Sequence, residues 1–286
     1  MSDGARNVAE SMLVGVTDAT ASRRAIEWAC RRAEERGSRI ELISIVGGAV
    51  GAVGEGAVVA EALALTEAML EREAERVRAR GLHVEFRLVR GNPVDELVDA
   101  SMVFDLLVIG SDYRGPQSGP RRGPHGVRVV AAAHCPVAVI PDIDLDGRQG
   151  VLVGVDGSPI SAKAIEFAAA EAAGIGDPLT LVHAWTTVPL PLAMHAYPAG
   201  YLAGMQKLGE EMVAEARSGI AERYPDLEVR GIVERGHPGV VLGRLSAEAR
   251  LTVVGSHGRG PIARLLLGST SYEVLSWPVS ATIVVR

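Results

Sequence analysis

The sequence predicts an α/β protein of two tandem domains, each a doubly wound, mostly parallel sheet, the two paired through their last strands. Three observations carry this. The chain of 286 residues is duplicated: Val14-Gly-Val16, Ser22 and Ala25-Ile-Glu-Trp-Ala29 align without a gap on Val153-Gly-Val155, Ser161 and Ala164-Ile-Glu-Phe-Ala168. Arg90-Gly-Asn-Pro93 aligns on Arg235-Gly-His-Pro238, and Asp105-Leu-Leu-Val-Ile-Gly110 on Arg250-Leu-Thr-Val-Val-Gly255. Each copy is one domain long, and the polar stretch 141–150 reads as a linker, giving domains 8–141 and 150–286. Within each copy short apolar runs alternate with helical patterns, the signature of a parallel sheet covered on both faces.

The elements of the second copy follow in order. Residues 150–155 form a short apolar strand. Ser158-Pro159 starts a helix, because serine caps and proline suits the first turn. That helix carries Ile165, Phe167, Ala168 and Ala172 and stops near Gly174. Residues 179–185 are the second strand, followed by a proline-rich loop to about Gly204. A helix from about Met205 to Arg223 places Leu208, Met212, Ala216 and Ile220 at fourfold spacing. Residues 227–233 are the third strand, 238–249 a helix, 251–254 the fourth strand, 270–276 a helix and 279–285 the last strand. Val137 to Ile140 and Ala281 to Val285 close the two copies with apolar, β-branched residues. Such strands invite pairing, hence the expected contact between the halves.

Composition narrows the function. Apolar residues make up 48% of the chain, enough for a core in each half. The net charge of −6 argues against general affinity for nucleic acid or acidic membranes. Cys30 and Cys135 have neither metal nor redox spacing, so a reducing compartment is expected. No long apolar span and no signal-peptide stretch at the start is visible, which makes the cytoplasm the expected location. The histidines show no metal spacing, and no metal site is expected in the protein itself.

One segment carries chemistry. Gly255-Ser-His-Gly258 follows an apolar strand, and Gly268-Ser269-Thr270 opens a helix. Glycines let the backbone approach a ligand, and the N–H groups of Gly268, Ser269 and Thr270 are expected as unpaired helix-start donors suited to phosphate. Parallel sheets of this kind bind ligands at the carboxyl ends of their strands. Asp156 directly follows the first strand of the copy, although at Asp-Gly-Ser-Pro it also reads as a turn or helix-cap residue. His183 reads as a packed histidine within a strand, and His257 as either a phosphate contact or a water-facing side chain.

The spacing Gly255-x2-Gly258-x9-Gly268-Ser269-Thr270, with Asp156 upstream and the strand Leu181-Val-His-Ala184, resembles the universal stress protein family. The resemblance covers essentially the whole chain as two copies. It implies a Rossmann-like fold, ATP binding in one subclass, and a role in stress survival or dormancy. It further implies that Asp156 meets the adenine and that Ala184 holds its edge through the backbone. Gly255 and Gly258 would line the ribose and phosphates, and Gly268, Ser269 and Thr270 would hold the phosphate tail. Magnesium could accompany the ATP. The first copy departs from the pattern: Thr17 stands opposite Asp156 with Asp18 one place late, Tyr113 replaces the second glycine, and Pro124 and His125 replace Ser269 and Thr270.

Three classes of function follow: an ATP-binding regulatory protein, a slow ATPase or adenylyl-transferring relative, and an interaction scaffold with vestigial sites. Against the enzyme stand the absence of a Ser-Gly-Gly loop, of a Gly-Lys-Ser/Thr loop and of an acid–base pair. Pairing of the two halves and a homodimer are both compatible with the sequence, and no protein partner is indicated.

Overall fold

Runs of Val, Ile and Leu at the strands and glycines at the helix ends set the frame of each repeat. The computed structural model describes residues 9–47, 55–114, 124–187, 189, 196–258 and 267–286, without the side chains of Glu55, Pro124 and His125. The glycine-rich stretch after the second strand falls largely at 48–54. It lies outside the described residues, as do the arm 116–122, part of the loop after residue 187, and residues 259–266. The chain divides into two units. The first holds the described residues up to Asp112 and from Pro124 to Asp142; the second holds Tyr113, Arg114 and the described residues from Ile143 on.

The first unit contains β1 (Ser11–Gly15), α1 (Thr20–Arg36), β2 (Arg39–Val46), α2 (Glu55–Arg78), β3 (Val84–Arg90), α3 (Pro93–Ala100), β4 (Leu106–Ser111), α4 (Pro124–Ala132) and β5 (Val137–Pro141). Its sheet runs β3-β2-β1-β4-β5, parallel throughout. The second unit repeats the plan with β6 (Val151–Gly154), α5 (Pro159–Ile175), β7 (Leu179–Trp185), α6 (Tyr201–Arg223), β8 (Val229–Arg235), α7 (Pro238–Ser246), β9 (Leu251–Gly255), α8 (Ser269–Ser276) and β10 (Ala281–Val285). Its sheet runs β8-β7-β6-β9-β10, again parallel. The strand order reverses between β6 and β9, and this is where such sheets open a crevice. Strands β4, β5, β9 and β10 are buried along all or most of their length, which is why they read as continuous apolar runs.

The repeat is visible in the caps. Gly37 and Gly176, at aligned positions, take φ of 70° and 71° and return their N–H groups to Ala33 O and Ala172 O. Helix α5 therefore passes Gly174 and stops one residue before Gly176, the glycine in the left-handed conformation. Ser158 caps α5, accepting the Ser161 N–H at 3.1 Å. Its counterpart Ala19 has the same extended backbone and no side-chain cap. Helix α6 begins at Tyr201, earlier than the glycines suggested. Gly200, with φ of 78°, makes the turn, and Gly204 is already in the first helical turn with its N–H on Gly200 O. Among the described residues no helix is long and apolar enough to cross a membrane.

Candidate functional site

Asp156 directly follows β6, where the chain leaves the sheet and turns into α5. Its N–H donates to Ser161 Oγ at 3.1 Å, and its Oδ1 accepts the Ser158 N–H at 2.8 Å. Those bonds make the residue a turn former. They also immobilise the carboxylate while leaving Oδ2 directed across the crevice. A Cβ added at Gly258 would stand 2.6 Å from that Oδ2. Turn and ligand readings are therefore compatible: one carboxyl oxygen holds the turn and the other faces the glycine of the opposite wall.

That wall is built at the end of β9. Gly255 lies against the first turn of α5, where a Cβ would come within 2.7 Å of Ile160 Cγ2. Ser256 donates its N–H to Val285 O at 2.7 Å, and its Oγ pairs with His257 Nδ1 at 2.7 Å. Ser271 Oγ donates to Gly255 O at 2.5 Å, tying α8 to the glycine turn. One expectation is corrected here: the Gly268 N–H is not a free donor, because it bonds to Ser256 O at 2.8 Å and closes the turn. The donors left at the start of α8 are the N–H groups of Ser269, Thr270 and Ser271. None of these has a partner among the described residues, as the geometry of a helix N-terminus requires. They add the positive end of the helix dipole to the cleft.

Ala184 completes the third side. The β6–β7 ladder ends at Gly154 opposite Val182, and the Val155 N–H makes the last rung to Val182 O at 2.8 Å. In a parallel strand, residues two apart present their backbone groups to the same neighbour. Ala184 therefore faces the side of β6, beyond the point where β6 has turned away. Its backbone edge is the free lip of β7. His183, between them in sequence, places Nδ1 2.7 Å from Val155 O and belongs to the packing behind the lip.

All seven residues singled out from the sequence, Asp156, Ala184, Gly255, Gly258, Gly268, Ser269 and Thr270, line one cleft of about 310 Å³. The volume is at the lower end of ordinary small-molecule sites. Sequence reasoning missed Ser161, Pro238, Leu242 and Ser271, which line the same cleft. Ser161 had a signal, since it is one of the positions identical in both copies; Leu242 and Ser271 read as ordinary helix residues. His257 also lines the cleft, and its Nε2 is buried without a hydrogen-bond partner among the described residues. An orphaned polar atom beside three unpaired N–H groups fits a polar, anionic ligand. Among the described residues no arginine or lysine lines the cleft, and the groups there that can meet negative charge are backbone N–H groups and the helix dipole.

The first unit keeps the turn and loses its charge. Thr17 donates its N–H to Ser22 Oγ at 2.9 Å, and the Ala19 N–H reaches Thr17 Oγ1 at 3.4 Å, repeating the Asp156 pattern with a hydroxyl. Gly110 keeps the tight approach, 2.4 Å from its would-be Cβ to Ala21 O. Asp18 is exposed. Helix α4 opens on Pro124, which has no N–H to offer. Tyr113 is only 1% exposed and packs edge-on against Trp277, both in the second unit, with ring centroids 6.1 Å apart.

Comparison with known proteins agrees with this architecture. Residues 9–141 and 147–285 each match the universal stress protein family. A universal stress protein of Mycobacterium tuberculosis is 39% identical over 211 residues, covering 72% of this chain and 70% of that protein. A second one from the same organism is 32% identical over 299 residues, covering 100% of this chain and 99% of that protein. The crystal structure of a universal stress protein from Archaeoglobus fulgidus matches with a TM-score of 0.72 at 21% identity, covering 96% of this chain and 98% of that one, a likeness of fold.

Proposed function

The chain belongs to the universal stress protein family as two tandem copies, and from that premise we propose that it is an ATP-binding regulatory protein holding its nucleotide within residues 150–286. The observation that carries the reading is the approach of Asp156 Oδ2 to Gly258 beside the unpaired N–H groups of Ser269, Thr270 and Ser271. A hydrogen-bond acceptor at one end of a cleft and backbone donors at the other suit a molecule with a polar base or sugar and an anionic tail. Asp156 and the Ala184 backbone take the nucleoside; Gly255 and Gly258 let the ribose and first phosphates lie against the main chain; Gly268 shapes the turn; Ser269 and Thr270 receive the phosphate tail. Magnesium would arrive on the phosphates, and the Ser269 and Thr270 hydroxyls line that end of the cleft.

Among the described residues the site offers mainly backbone donors and turn-held groups, with one oxygen of Asp156 already engaged by the Ser158 N–H, which favours a sensor over an enzyme. Cys30 and Cys135 are buried free thiols whose pKa burial pushes up to about 11. They stay protonated and suit a reducing cytoplasm. The decisive experiment is calorimetric titration of the full chain with ATP, together with identification of any nucleotide that copurifies. Binding that disappears in Asp156→Ala supports the reading. ADP produced with turnover would favour a slow ATPase, and no binding at all an interaction scaffold.

A further inference from the structure

Behind the lip of β7, His183 makes a bond that neither strand nor helix requires. A carbonyl oxygen can only accept, so the 2.7 Å contact between His183 Nδ1 and Val155 O assigns the proton to Nδ1. Val155 O is the atom that would accept the Ala184 N–H if the β6–β7 ladder ran one rung further. It receives the imidazole instead. The peptide joining Val155 to Asp156 is thus held at both ends, its oxygen by His183 and its N–H by Ser161 Oγ at 3.1 Å. Fixing that plane fixes the direction in which Asp156 leaves the backbone, and the Ser158 N–H then fixes the carboxylate itself at 2.8 Å.

The ring is seated by a dedicated gap. On α6, a Cβ at Gly209 would stand 2.7 Å from His183 Cδ2, so the helix can cross there only as glycine. In the first unit the aligned residue is Ser44, and among the described residues no side chain reaches Val16 O, the counterpart of Val155 O. That unit has Thr17 in place of Asp156. The side-chain clamp and the carboxylate it aims occur together.

We propose that His183 is a positioning residue of the nucleotide site: through Nδ1 it clamps the Val155–Asp156 peptide, aims the Asp156 carboxylate at the crevice and keeps the Ala184 N–H from closing onto Val155. The proposal rests on the ATP reading of the same site. Without the imidazole, Val155 O is free to take the Ala184 N–H, which withdraws the β7 lip from the ligand while adding a rung to the sheet.

The test uses two nearly isosteric replacements in the full chain. His183→Asn keeps an N–H near the Nδ1 position, and His183→Leu removes it. The expected result is ATP affinity within about threefold of the parent for His183→Asn and at least about tenfold weaker for His183→Leu, one charge-free hydrogen bond's worth of pre-organisation. Rescue by the amide is what a merely space-filling histidine would not show. Equal affinity of both variants, or loss in both, overturns the proposal. If His183→Leu fails to fold, His183→Asn decides alone: retained affinity supports the clamp and lost affinity overturns it. A parent protein that binds no ATP refutes the functional reading itself, and the clamp falls with it. Parent binding abolished by Asp156→Ala but indifferent to residue 183 refutes only the clamp.

Discussion

Asp156 and Gly258 are fitted to each other across the crevice: the carboxylate Oδ2 occupies the space that a side chain on residue 258 would need, 2.6 Å from its Cβ. The carboxylate cannot simply retreat, because its other oxygen accepts the Ser158 N–H and its own backbone is held by Ser161. A single methyl at 258 thus acts on the ligand site through a residue on another strand.

Gly258→Ala should therefore weaken ATP at least about tenfold, the scale of one displaced charged hydrogen bond. Gly258 is not among the glycines with positive φ, so alanine is acceptable to the backbone, and any fall in melting temperature should come from the displaced Asp156 carboxylate alone. In an Asp156→Ala background the same change should add little, since its target is gone. Titration calorimetry on the four proteins of this cycle measures the coupling; additive losses would contradict the fitted pair.

Gly268 behaves differently. Its φ of −62° and ψ of 154° are open to any residue, and a Cβ would meet His257 Cα and Ser256 O at 3.4 and 3.5 Å, ordinary contact. Gly268→Ala is expected to bind ATP within a few-fold of the parent. Gly268→Glu places a carboxylate where the phosphate tail is proposed, and should abolish binding with the fold intact. A fluorescence or calorimetric titration separates the two; equal loss in both variants would show that the glycine serves a tighter turn than its contacts indicate.

How much of this was legible in the sequence depends on the level. The duplication gave both sheets, and the seven site residues fall in one cleft because strand ends and helix starts are marked by residues with few conformational options, Gly255, Gly258 and Ser158-Pro159. Hydrogen-bond partners were not legible. Nothing local says that the Gly268 N–H turns back to Ser256 O, or that a histidine in β7 reaches the end of β6. Helix α6 started earlier than expected because Gly200 and Gly204 read as loop residues. Gly200 turns the chain, Gly204 is exposed, and Gly209 makes room for His183, a reason that lies on another element. Tyr113 read as a replacement of the second glycine in the first copy, and its ring is buried against Trp277, a long-range preference that apolar area decides.

Away from the site, Glu10 sets an acid-sensitive contribution to stability. Burial alone would push its carboxyl up, but the Arg32 hydrogen bonds and charge, with Ser38 and Arg36, outweigh this and hold it below the usual carboxylate value. Glu10 meets Arg32 at 2.8 and 2.9 Å, and the arginine is 5% exposed. A depressed carboxyl stabilises the fold above its unfolded pKa of about 4.5, and that stability is lost as pH falls through the lower folded value. Glu10→Gln should cost about 3 kcal/mol at pH 7 by removing the carboxylate charge that faces the buried Arg32 guanidinium. At pH 3, below the unfolded value, the gap between the parent and the amide should be narrower than at pH 7. Urea midpoints at the two pH values check this; a cost independent of pH would mean that the pair contributes only its shape.

One ATP per chain is the expected stoichiometry, held by residues 150–286. The first unit retains the frame of a site, with Gly110 packed on Ala21 as Gly255 is on Ile160. The chemistry is missing at both ends. Thr17 gives its turn a hydroxyl where Asp156 gives a carboxylate, and Asp18, one place late, is exposed. At the other end α4 begins with Pro124 where α8 begins with Ser269, so one helix-start N–H is absent and cannot be restored by any rotation. Each loss is worth about 1–3 kcal/mol, and two of them weaken a micromolar site by about 30-fold at the least and into the millimolar range at the mid-point of that span. Calorimetry should return a stoichiometry near one, and the double variant Asp156→Ala with Gly268→Glu should bind nothing. Two equivalent sites, or binding that survives the double variant, would place a working site in the first unit and show that a threonine turn and a proline-led helix suffice.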